Sequence, residues 1–233
     1  MLSIKLIFLA VISTVVVTTY AQAQRTPNAA LKSNPKVEAA HTAIHTPEDA
    51  LAELREGNLR FLDGKPINTD YLDQIERTKS DQHPHSVILS CLDSRIPPEI
   101  IFDQGIGNIF VARVAGNIED PNILGSMEFA TKVKGTKLIV VMGHNKCGAV
   151  KGAVDNAELG NLTQLVDQLK PAITGDKSNP DLMLTESAKK NVELTIADIL
   201  KSSPVIADLV KNDEVKIVGA FYDLSSGKVM FME

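Results

Sequence analysis

Two short strings of this sequence combine residue types able to do chemistry: Cys91-Leu92-Asp93-Ser94-Arg95 and His144-Asn145-Lys146-Cys147-Gly148. They contain both cysteines of the chain and one of its five histidines. Two thiolates and an imidazole suit a borderline-soft ion, and three protein ligands with one exchangeable position is the catalytic zinc arrangement. A water on such an ion ionises near pH ~7, which gives a strong nucleophile at neutral pH. Asp93 is placed to accept a hydrogen bond from the resulting zinc-bound hydroxide. Arg95 can hold that carboxylate with two parallel bonds, which a lysine could not do. A disulfide between Cys91 and Cys147 is the competing reading in an exported chain. It requires neither an Asp two residues after one cysteine nor a His three residues before the other, so the spacing favours metal ligation.

These strings need a scaffold that brings them together. Each follows a buried-looking apolar run, Ser86–Ser90 and Leu138–Met142, of the kind found in parallel strands covered on both faces. Both would then lie at the carboxyl ends of strands, where open α/β sheets place their sites. Asn108–Arg113 reads as another strand, 215–222 as a late one, and 229–232 as its antiparallel partner across Ser225-Ser226-Gly227. Helical periodicity covers 122–134, a short stretch after Cys147, 161–170, 182–202 and 204–211, with a further short helix over 70–79. Thr46-Pro47-Glu48-Asp49 is a helix start, with a capping Thr, Pro at the first helical position and acids in the first turn. Leu51, Leu54, Asn58 and Phe61 share a face of this helix, which Asp63-Gly64 ends. The pattern predicts an α/β fold with a mainly parallel central sheet, an antiparallel edge strand, helices on both faces and an N-terminal helical arm.

Residues 1–23 read as a cleaved signal peptide: Lys5, an apolar run from Leu6 to Val17, then Ala21-Gln22-Ala23. The run is short for a membrane span. Residues 24–45, polar and carrying His41 and His45, read as an extended arm, and 46–233 as one domain. Export, with the periplasm as destination, follows from the leader. Net charge is −5 over 233 residues, and removal of Lys5 makes it more negative. No basic tract interrupts this balance, which argues against nucleic acid or an anionic membrane surface as partner.

The two strings resemble the signature of the β-class carbonic anhydrases, Cys-x-Asp-Ser-Arg followed by His-x-x-Cys-Gly. The likeness extends over roughly 46–232 and includes Phe102–Gly105, Val111–Asn117 and Lys137–His144. The resemblance implies a Zn2+ enzyme (carbonate dehydratase) that hydrates carbon dioxide to bicarbonate and a proton. Cys91, His144 and Cys147 would be the ligands, and Asp93 and Arg95 the catalytic pair. It also implies a closed state in which Asp93 leaves Arg95 to become a fourth ligand. Gln82, in Gln82-His83-Pro84, takes a substrate-contacting role on the same ground. Gly148 offers a backbone N–H to the product anion. Phe110, with Val114 and Ala115, is expected to wall the substrate pocket. Phe129 stands where many members have Tyr. Members are generally dimers or larger, with the N-terminal helix lying across the partner, so a homodimer or higher homo-oligomer is expected. The family's bicarbonate regulatory pocket typically uses a Trp, which this chain lacks. His83 and His85 are candidate proton relays. The nearest alternatives are a carbonyl sulfide or carbon disulfide hydrolase on the same scaffold, a disulfide-containing structural or redox protein, and a zinc or bicarbonate sensor without turnover.

Overall fold

The computed structural model describes residues 44–232. The expected signal peptide, His41 and nearly all of the expected arm lie outside the described residues. Five strands form one sheet: β1 (Ser86–Ser90), β2 (Ile109–Arg113), β3 (Leu138–His144), β4 (Lys216–Tyr222) and β5 (Val229–Met232). Their order is β2-β1-β3-β4-β5. The pairings β1–β2, β1–β3 and β3–β4 are parallel, and β4–β5 is antiparallel. The mainly parallel sheet with an antiparallel edge is therefore as expected.

The continuous apolar runs of β1 and β3 are explained by helices on both faces. Val87, Leu89, Ile139 and Val141 pack with Met127, Val192, Ile199, Ile206 and Leu209 on one side. Those residues come from α4 (Pro121–Glu128), α7 (Pro180–Ser202) and α8 (Pro204–Lys211). Ile88, Leu138, Val140 and Met142 join Ala50, Leu51, Leu54, Ile101 and Phe102 on the other, beside α1 (Pro47–Leu62) and the short α3 (Pro98–Ile101). The remaining helices are α2 (Tyr71–Thr78), α5 (Gly148–Val154) and α6 (Gly160–Leu169). Among the described residues no helix is long and apolar enough to cross a membrane.

The sequence places the helix limits within a few residues, because proline and capping side chains mark their starts. Thr46 and Asp49 exchange bonds in a capping box at α1. Asp120 caps α4 through the Asn122 and Ile123 amides. The expected helix to Lys134 instead widens after Glu128 into a π-helical turn, Phe129–Val133.

Ala50, Leu51 and Leu54 of α1 are buried in the core of their own domain, while Leu59 on the same helix is exposed. A Cβ on Gly57 would lie 1.8 Å from the Phe102 carbonyl oxygen, so the helix backbone sits directly against the loop after α3. Asn58, buried, donates to the carbonyls of Ile101 and Gly227, each at 3.1 Å, and accepts from the Val229 amide at 2.9 Å. Helical periodicity identified the apolar face correctly but carries no information about which surface covers it.

From β1 the chain crosses to β2 on one side, and from β3 it continues to β4 on the other. The carboxyl ends of β1 and β3 thus flank the switch point of the sheet, where such folds open a crevice. Cys91 follows β1 and His144 ends β3. β3 runs two residues further than the sequence predicts, because Gly143 and His144 stay paired with Phe221 and Tyr222 of β4. The sheet ladder itself therefore fixes the His144 backbone.

Candidate metal centre

Cys91, His144 and Cys147 converge, all three buried, with their ligand atoms within 4.8 Å of one another. The two sulfurs are 3.9 Å apart and both cysteines are free. Two Zn–S bonds of about 2.3 Å in a tetrahedral shell separate their sulfurs by about 3.8 Å. The observed spacing matches that arrangement and is far from a covalent S–S bond.

His144 is fully buried. Its Nδ1 stands 2.8 Å from the Asn145 carbonyl oxygen. A carbonyl only accepts, so Nδ1 carries the proton and Nε2 keeps its lone pair. Nε2 has no hydrogen-bond partner among the described residues. A buried imidazole lone pair aimed at two thiols is a costly arrangement unless a cation receives all three.

The turn that delivers Cys147 needs Lys146 in the left-handed region, at φ 52°, a conformation costing a non-glycine residue roughly 1–2 kcal/mol. This reverses the chain within His-x-x-Cys, so that Cys147 becomes the residue preceding α5.

The sulfurs are electrostatically coupled. Hydrogen bonding from Cys147 holds the Cys91 thiol down, against its burial. Cys147 is pushed up by that same interaction with Cys91 and by desolvation. A divalent cation allows both to be thiolates.

Asp93 and Arg95 meet as their spacing suggests. The guanidinium Nε and one Nη donate to the two carboxylate oxygens at 2.8 and 2.6 Å, and the Arg95 amide adds a third bond at 3.0 Å. Those hydrogen bonds hold the Asp93 carboxyl well below the usual range, at about 2. Asp93 Oδ2 lies 4.0 Å from His144 Nε2. This is the Arg95-held arrangement, with both carboxylate oxygens accepting from the guanidinium.

Three supporting residues lie outside the two strings. Arg113, at the end of β2, donates to the carbonyls of Cys91 at 3.1 Å and Asp93 at 2.5 Å, pinning the first string from beneath. The Gly116 amide donates to the Cys91 sulfur at 3.3 Å, which favours the thiolate. Asn191 of α7 in turn holds the Gly116 carbonyl at 2.7 Å. Gly116 has φ 75°, and a Cβ there would lie 2.8 Å from Leu169 Cδ1, so another residue would strain the backbone and push the Leu169 side chain aside.

A sequence profile described as carbonic anhydrase matches residues 86–229. Carbonic anhydrase 2 of Mycobacterium tuberculosis is 34% identical over 193 residues, covering 80% of this chain and 93% of that protein. The carbonic anhydrase of Mycolicibacterium smegmatis is 37% identical over 191 residues, 78% of this chain and 92% of that one. The chain belongs to the β-class carbonic anhydrases. Among solved structures, the β-carbonic anhydrase CafA of Aspergillus fumigatus is 25% identical with a TM-score of 0.64, over 80% of this chain and 90% of that one.

Within this β-class chain, not every expected site residue reaches the centre. Gly148 is exposed beside Cys147, and a Cβ there would meet nothing within 4 Å. Val114 follows β2 at the correct end and exchanges backbone bonds with Ser90 and Leu92. Gln82 stands apart from the centre of its own chain. It is exposed and precedes β1, whereas Cys91 follows it, and five strand residues span about 16 Å. Phe110 also stands apart from that centre. It pairs with Val87 in mid-sheet and stacks edge-on with Phe129, ring centroids 6.2 Å apart, on the α4 face. Neither enters the pocket of its own chain. His83 and His85, like Gln82, precede β1. His83 is exposed beside Asp81 at 3.4 Å. His85 is buried, with Ser86 Oγ at 2.8 Å and Gln104 Oε1 at 3.0 Å from its two nitrogens.

Proposed function

We propose that this β-class chain catalyses the reversible hydration of carbon dioxide to bicarbonate and a proton, with zinc held by Cys91, His144 and Cys147. The observation that carries this is the buried Cys-His-Cys triplet with an unpartnered imidazole nitrogen, 4.0 Å from a carboxylate gripped by arginine. Zinc supplies Lewis acidity there, bringing the pKa of a coordinated water toward ~7. Asp93, ionised and committed to accepting, orients the O–H of the attacking water and directs its lone pair toward the substrate. Arg95 keeps Asp93 in that state. Gly148, exposed beside the last ligand, offers its N–H to the anionic product. Val114 and Ala115 exclude water from the side where a small apolar gas enters.

The closed state, with Asp93 turned onto the metal, requires all three Arg95 bonds to release. The separation of the two sulfurs disfavours the disulfide-protein alternative, and the relatives described above carry only carbonic anhydrase names. Stopped-flow carbon dioxide hydration on metal-analysed protein tests the reading. The wild type turns over in proportion to bound zinc and Cys147→Ser does not. Equal rates in both would overturn it.

We also propose a homo-oligomer. The roles that the family resemblance gives Gln82 and Phe110 can be met only from a second copy, because both stand away from their own chain's centre. Among the described residues one edge of β2 is unpaired, and Phe129, which meets Phe110 of β2, and Val133 are 47% and 68% exposed. Sedimentation showing only monomers at micromolar concentration would remove this. Export of the chain through a cleaved leader is proposed as well. Amino-terminal sequencing of protein from the periplasmic fraction checks it, with Gln24 as the expected first residue.

A further inference from the structure

The Asn145 carbonyl that receives the His144 Nδ1 proton is itself held in place by the side chain of the same residue. Asn145 Nδ2 donates to Asp223 Oδ1 at 2.8 Å, and Asn145 Oδ1 accepts the Leu224 amide at 2.9 Å. The Asn145 amide donates to the Tyr222 carbonyl at 3.3 Å. One asparagine therefore ties the metal loop to the turn between β4 and β5 through three bonds, and the imidazole through a fourth.

That turn is rigid on its own account. Asp223 Oδ1 also accepts from the Ser225 amide at 3.0 Å, and Oδ2 accepts from Ser226 Oγ at 2.8 Å. Its backbone closes through Gly227 N–H to Asp223 O at 2.8 Å and Asp223 N–H to Lys228 O at 2.9 Å. Asn58 of α1 clasps the far end, at Gly227 and Val229. Two asparagines, 58 and 145, thus grip the two ends of one turn.

We propose that Asn145 and Asp223 form a latch that orients the imidazole of His144, so that the β4–β5 turn sets the metal affinity of the centre. Asn145 is a positioning residue, since it touches neither metal nor substrate. Asp223 lies outside both strings, and Asn145, though inside the second, is neither a ligand nor a member of the catalytic pair. The inference rests on the zinc reading above. A residue that merely filled the turn would change folding stability and leave the affinity of the folded protein for zinc alone. A latch makes the opposite demand. Outer partners of a metal-bound histidine change affinity by about 10- to 100-fold when removed.

The test is zinc affinity by chelator competition on the full chain, alongside urea midpoints and the nitrogen-15 signals of the His144 ring. Asn145→Asp sets two carboxylates against each other and should weaken zinc binding by about 10- to 100-fold. It should also disturb the Nδ1–H signal. The exchanged pair, Asn145→Asp with Asp223→Asn, again matches one donor with one acceptor. It should recover most of that loss, less the Ser225 contact. Asn145→Ala removes both side-chain bonds without adding charge and serves if the aspartate variant folds poorly. It should weaken zinc binding in the same range. Folded Asn145 variants that bind zinc within threefold of wild type would overturn the latch, and so would an exchanged pair that recovers nothing. A wild-type chain that takes up no zinc would instead overturn the metal centre and the latch with it.

Discussion

Arg113 and Cys91 are linked across the β1–β2 edge by the bond from the guanidinium Nε to the Cys91 carbonyl, 3.1 Å long. The same guanidinium reaches the Asp93 carbonyl through an Nη. One side chain thus sets the path of the loop that carries a metal ligand and the hydrogen-bond acceptor of the site. Arg113→Ala leaves two carbonyls without that donor, and a buried acceptor left unmade costs about 1–3 kcal/mol. The urea midpoint should fall accordingly, and zinc should dissociate faster from the variant than from wild type.

Asp93 and Arg95 form a forked contact, and a fork cannot be replaced by a point charge. Arg95→Lys retains the positive charge and loses the second parallel bond. Its kcat/KM for carbon dioxide hydration should fall by about 10- to 100-fold, corresponding to about 1.4–2.7 kcal/mol of transition-state stabilisation. Its zinc content should remain that of wild type, because neither residue is one of the three ligands.

Gly116 and Gly148 flank the same centre and should respond in opposite ways to Ala. At Gly116, a methyl must displace the end of the Leu169 side chain, 2.8 Å away, on a backbone held at φ 75°. Overpacking of this kind costs typically about 1–3 kcal/mol, with the left-handed backbone adding to it. At Gly148 the new methyl meets nothing, so the variant should melt with wild type while its KM for bicarbonate rises. Thermal denaturation and dehydration kinetics on both variants separate the two cases.

Glu119 provides a pH test away from the metal. Burial pushes its carboxyl above the usual carboxylate range, with Asp198 and Asp120 adding repulsion. An acid raised on folding weakens the folded state once it ionises. The penalty is absent below its unfolded pKa and grows as pH rises through the folded value. Glu119→Gln should therefore have a higher urea midpoint than wild type at pH 7.5 and the same midpoint at pH 4. A gain that is equal at both pH values would assign the effect to something other than ionisation.

Much of the centre was legible because its chemistry is local in sequence. Cys91, Asp93 and Arg95 lie within five residues, His144 and Cys147 within four, and the apolar runs before them declare strands with their ends aligned. Arg113, Gly116 and Asn191 were not legible as site residues. Their bonds to the centre span 22, 25 and 75 positions, and nothing within their own segments announces the partner. Arg113 had one available signal: it closes a strand expected beside β1, so its side chain had to lie near Cys91. Gln82 and Phe110 show the converse limit. Nearness in sequence to a site says nothing about which end or face of a strand a residue occupies. The docking of α1 was hidden for a related reason, since periodicity defines an apolar stripe without naming the surface that covers it.

The central claim is that two sulfurs and one imidazole nitrogen hold one zinc ion beside Asp93. Zinc K-edge absorption fine structure on the purified full chain reads that shell directly. The account predicts two sulfur scatterers at about 2.3 Å and nitrogen or oxygen scatterers at about 2.0–2.1 Å, four in all. A shell without sulfur, or with one sulfur, in protein that actively hydrates carbon dioxide would contradict it.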